Sequence, residues 1–95
     1  MATPIPTIHL NGSSGENLRN ETRNAYLAVC AAIDELCTAA PNARDYYPQG
    51  PAAWPAADDA HRSRLERLIA VRDELSELYR GIHDQLDERA ARSRR

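Results

Sequence analysis

Three aromatic rings, an arginine and an amide crowd one short stretch of this chain. Arg44, Tyr46, Tyr47, Gln49 and Trp54 fall within residues 41–55, PNARDYYPQGPAAWP, where four prolines and a glycine stiffen the backbone. Such groups suit a nucleotide-like ligand. Rings stack on a base, a guanidinium forks onto phosphate or carboxylate, and an amide reads a base edge. A stiff loop also loses less entropy on binding. His61 follows just beyond the loop, with Arg62 and Arg64 beside it. The candidate ligand-binding set is therefore Arg44, Tyr46, Tyr47, Gln49, Trp54, His61 and Arg64. The competing reading has the rings plugging the end of a helix pair, Arg44 pairing locally with Asp45, and His61 standing as a polar residue on an exposed helix face.

Other chemistry finds little support. Cys30 and Cys37 lie seven residues apart on one predicted helix, about 10 Å along its axis, too far to bridge each other. Small core residues is their simplest reading, with an intersubunit disulfide or metal site as the alternative. His9, His61 and His83 fit no HExxH or HxxxH spacing, so no metal site is expected. The chain shows no nucleophile–base–orienter set and no glycine-rich phosphate loop, and Asp73/Glu74 and Asp87/Glu88 read as solvated surface. The expectation is a protein that binds without catalysing, needing no cofactor.

The elements that must position the loop are two helices. Residues 1–12 carry Pro4 and Pro6, then alternate Ile8 and Leu10 with His9 and Asn11, which predicts an extended strap ending in an Asn-Gly turn. A first helix over 13–40 should start near Ser13 or Ser14, and Ser13 with Glu16 fits a capping box. Its apolar face is Leu18, Thr22, Ala25, Val29, Ile33 and Leu36, flanked by Tyr26 and Cys37. Pro41 ends it. The hinge occupies 41–55, and a second helix runs over 56–92, starting near Pro55 to Asp58. Leu65, Leu68, Val71, Leu75, Leu78, Ile82 and Leu86 form its stripe, widened by Ile69 and Tyr79. Since the second helix outruns the first, the stripe from Leu78 to Leu86 should be uncovered within one chain.

Composition points the same way. The 95 residues form one small domain, with 16 alanines, no Phe, and only 16 Leu, Ile and Val together. Alanine buries little area, so the core supply is thin for a monomer. The fold class expected is all-α: an antiparallel helical hairpin with an N-terminal strap and a long structured hinge, completing its core by homo-oligomerisation through Leu75, Leu78, Ile82 and Leu86. All 12 basic residues are Arg, and the net charge is -2. From Asp58 onward nine Arg balance nine acids, which argues against wrapping a duplex or coating an anionic membrane. No segment has the ~20 apolar residues of a membrane span, and residues 1–6 do not read as a secretory signal. Reduced cysteines in a cytoplasm follow as the default.

Ile8 to Gly12 (IHLNG), Pro41 to Gly50 (PNARDYYPQG) and His61 to Val71 (HRSRLERLIAV) resemble a family of small phage- and prophage-encoded helical proteins. That family has an I-H-L-N-G start, a P-N-x-R-D-Y-Y-P-Q-G hinge and an H-x-x-R-L-x-x-L-x-x-V second helix. The similarity covers most of the chain, and the ten-residue hinge is its most specific part. Trp54-Pro55 departs from the pattern, which has a helix-compatible stretch there. The resemblance carries no settled biochemical role. By analogy with small phage oligomers that counter host defence, it implies sequestration of a small anionic, nucleotide-type signal between subunits in the host cytoplasm. The rival expectation is an interaction module that inhibits or bridges a host protein through its helical face.

Overall fold

The computed structural model of the chain describes residues 2–94. Helix α1 spans Gly15–Thr38 and helix α2 spans Ala53–Ser93. Two single 3-10 turns, Ala43–Asp45 and Tyr47–Gln49, lie between them. The molecule is an all-α helical hairpin, with no strand among the described residues.

Local chemistry sets the helix ends, with shifts from the sequence expectation. The N-cap of α1 is Ser14, not Ser13: its hydroxyl accepts from the Asn17 N–H at 3.3 Å. That one-residue shift removes the reciprocal carboxylate of a capping box, because Asn17 stands where the glutamate would be. At the far end the Ala39 N–H reaches the carbonyls of Glu35 and Leu36, and Pro41 discourages another turn. Helix α2 begins at Ala53, earlier than Pro55. Pro55 sits in the first turn, where no intrahelical partner awaits its missing N–H.

The packing seam follows a heptad-like 4-3 alternation. On α2 the covered positions run Trp54, Asp58, His61, Leu65, Leu68, Arg72, Leu75, Tyr79, Ile82 and Leu86. On α1 they run Gly15, Leu18, Thr22, Tyr26, Val29, Ile33 and Leu36. Such spacing keeps one narrow seam facing a partner helix. The helices are antiparallel: Leu36 shares a cleft with Leu68, Tyr26 with Tyr79, and Gly15 lies against Leu86. Ala25, expected in the seam, is exposed, and Tyr26 takes its place.

The stretch from Leu78 to Leu86 is not left bare, contrary to expectation. Residues 2–9 have no regular secondary structure and run along α2 in its own direction. Thr3 Oγ1 donates to Glu77 Oε2 at 2.8 Å. The Gln85 amide works both ways: its Oε1 accepts from the Ile8 N–H at 2.9 Å, and its Nε2 donates to the Pro6 carbonyl at 2.7 Å. Ile5 lies over Gly81, and Ile8 meets Leu86 over Gly15. Ile82 is consequently the deepest large side chain, 1% exposed. It packs inside the chain and has no surface for the intersubunit seam proposed for it; Leu75, Leu78 and Leu86 are half-buried. The turn after this segment begins at His9, whose carbonyl accepts from the Gly12 N–H at 3.1 Å. That turn lifts Leu10 away from the helices, 96% exposed rather than aligned with Ile8.

The result is a rod of 69 × 24 × 21 Å with a radius of gyration of 19.9 Å, against about 12 Å for a compact chain of this length. Gly81 gives a direct test of the N-terminal packing. A Cβ there would stand 2.7 Å from Ile5 Cγ2, whereas on a bare helix replacing Gly gains up to ~1 kcal/mol. Gly81→Val should displace Ile5 and lower stability by about 1–2 kcal/mol, measured by urea denaturation followed by circular dichroism. In an Ile5→Ala background the cost should fall by more than half.

Candidate functional site

The hinge is a compact structure rather than a slack connection. Asn42 Oδ1 accepts from the Arg44 N–H at 3.1 Å, and the Asn42 carbonyl accepts from Asp45 N–H at 3.1 Å. The second turn closes with Gln49 N–H to the Tyr46 carbonyl at 3.0 Å and Gly50 N–H to the Tyr47 carbonyl at 3.2 Å. Gly50 then adopts φ 103, ψ 172, a region essentially restricted to glycine, before Ala53 opens α2. The second turn lies against α2.

These constraints sort the seven candidate residues into three groups. Arg44, Tyr47 and Gln49 stand on the outside of the loop, with Tyr47 73% exposed, while Tyr46 is half-buried. Trp54 is half-buried, and His61 is 6% exposed. Both fall on the seam of α2, seven residues apart, so they face the hairpin rather than the solvent side of the loop. His61 is therefore not an exposed polar residue. Arg64 belongs to a different place, about 15 Å along the axis from Trp54. It lines an open cleft of about 340 Å³ with Leu36, Arg67 and Leu68.

Ion pairs refine the picture. Arg62 is held by Asp58 at 3.0 Å, one turn away. Arg44 makes no ion pair with Asp45 or any other described residue, so its guanidinium is free at the loop. Arg67 was not among the sequence candidates, yet it flanks the same cleft as Arg64, with its Nε donating to the Ser63 carbonyl at 3.2 Å. Its signal was legible: neither Arg64 nor Arg67 has an acid three or four residues away, unlike Arg62.

A second cleft, of about 330 Å³, opens lower on the hairpin between Arg23, Tyr26 and Leu27 of α1 and Ser76 and Tyr79 of α2. Cys30, one turn beyond Tyr26, is the main influence that pushes the Tyr26 phenol's pKa above its ordinary value. Both cysteines are free; Cys30 is half-buried, but Cys37 is exposed rather than a core residue. On α2 the His83 ring stacks on Tyr79, centroids 5.7 Å apart, and its Nε2 pairs with Asp87 at 3.3 Å. Its buried Nδ1 has no hydrogen-bond partner among the described residues. Groups of three or more His, Cys, Asp and Glu placed to hold a metal are absent among the described residues. No helix of the described chain is long and apolar enough to cross a membrane.

Comparison with family models, curated proteins and solved structures gives no match. The loop's shape is open to test through its one strained residue. Gly50→Ala should cost about 1–3 kcal/mol, seen as a lower urea midpoint, whereas Gln49→Ala beside it should leave the midpoint within experimental error.

Proposed function

We propose that this protein acts by binding rather than by bond chemistry, as a self-associating helical protein whose hinge loop takes a small anionic, nucleotide-type ligand. The observation that carries this reading is an exposed ring, Tyr47, and an unpaired guanidinium, Arg44, three residues apart on a pre-shaped loop. An aromatic face left in water by a rigid backbone is ready to stack, at about 1–3 kcal/mol per base. Arg44 adds a bidentate donor for phosphate or carboxylate, and Gln49 an exposed amide on the same loop. The ligand set is thereby narrowed to Arg44, Tyr46, Tyr47 and Gln49. The resemblance of the PNARDYYPQG hinge to phage helical proteins makes a host defence signal the natural ligand, and sequestration in the host cytoplasm the mode of action.

A second reading rests on a separate observation. Leu27, Ile69 and Val71 are exposed on the helices, and exposed helical stripes dock against partner helices. A host protein bound there would be blocked or bridged without use of the loop.

Calorimetry separates the two. Against a panel of linear and cyclic nucleotides, one member should bind. Arg44→Ala and Tyr47→Ala should each weaken binding at least tenfold. Arg64→Ala, in a cleft of its own, should change affinity less than twofold. Flat titrations across the panel would overturn the ligand reading, and a host partner captured by the wild type and by Arg44→Ala alike would favour the second.

A further inference from the structure

The hairpin exposes far more surface than its mass warrants. A compact monomer of 10.6 kDa has about 5,500 Å² accessible, whereas this chain has 7146 Å². The surplus, about 1,700 Å², is roughly twice the ~800 Å² that each partner hides in a standard interface. One stripe of α1 is built to remove it. Arg23, Leu27, Cys30 and Asp34 recur at spacings of 4, 3 and 4, so they share one side of the helix. That side lies between a quarter and a third of a turn from the seam with α2, where a four-helix bundle places its second neighbour.

The stripe is self-complementary when reversed. Its spacing reads the same in both directions, its centre is apolar or weakly polar, and its ends carry opposite charges. Neither end is neutralised within the chain. Arg23 has no acid, and Asp34 no base, three or four positions away, and neither makes an ion pair with a described residue. Leu27, at the centre, is 54% exposed. Arg23 also rims the cleft formed with Tyr26 and Tyr79.

We propose that two copies of the chain pack as an antiparallel four-helix bundle, with α1 lying along α1 about a two-fold axis passing between Ala28 and Val29. Arg23 of each copy then pairs with Asp34 of the other, and Leu27 of each meets Cys30 of the other. An isologous contact of this kind uses one patch twice and closes at two subunits. Ile69 and Ser76, on the adjoining flank of α2, extend the contact face. The proposal gives a location to the self-association in the function reading above and does not depend on the ligand.

The test is a charge swap on the full chain, read by analytical ultracentrifugation. The wild type should sediment as a dimer. Arg23→Asp and Asp34→Arg should each weaken self-association at least tenfold, because both intersubunit pairs become like-charged. An equimolar mixture of the two variants should restore the dimer, detected as the mixed species by native mass spectrometry. If either variant unfolds alone, recovery of helical circular dichroism on mixing reports the same pairing. Leu27→Glu should dissociate the dimer without rescue by either variant. A wild-type dimer indifferent to all three changes overturns this face while leaving self-association intact. A monomeric wild type, up to the highest soluble concentration, overturns both.

Discussion

Two helices can share only one seam, and that limit governs everything else in this molecule. Each helix turns about a third of its circumference toward the other and leaves the rest to solvent. A narrow 4-3 seam between two helices therefore encloses almost nothing, and among the described residues Ile82 alone of the large apolar side chains is fully buried. Ile82 reaches that state because a third element covers it. The N-terminal segment adds Ile5 and Ile8 to the lower half of the hairpin, near the start of α1. Higher on the rod the described residues supply no third element, and Leu27 and Val71 remain in water.

The way that third element is held shows why it can lie on a helix at all. A segment without regular secondary structure has backbone donors and acceptors that a neighbouring helix, with its own groups internally bonded, cannot satisfy. Gln85 supplies both from its side chain, accepting from Ile8 and donating to Pro6. One amide thus does for this segment what an adjacent strand would do in a sheet. Gly81 completes the fit by lowering the helix surface where Ile5 crosses it.

The same seam reshapes the candidate site. Because α2 starts at Ala53, its first turns already follow the packing period, and Trp54 and His61 are drawn toward the hairpin. The loop retains Arg44, Tyr47 and Gln49 on its outer surface, and Arg64 is carried down the helix to a cleft with Arg67. What looked along the chain like one cluster of seven is, in space, a small loop surface, two packing residues and one arginine, Arg64, in a separate cleft.

The sequence by itself determined the two helices, the break between them and the stiffness of the loop. Periodicity, proline and glycine act through local backbone geometry, which needs no distant partner. It also determined which charges are left without local partners, since spacing along a helix settles that for Arg23, Asp34, Arg64 and Arg67 as it does for the paired Arg62 and Asp58. Tertiary structure decided the rest. A period of 3.5 residues identifies a stripe but not what lies against it, so the cover over Ile82, the burial of His61 and the isolation of Leu10 could not be read from the chain. The cover over Ile82 depends on contacts between residues more than seventy positions apart. The burial of His61 depends on where α2 starts and what packs against it, and the exposure of Leu10 on the turn from His9 to Gly12. Periodicity is blind to all three.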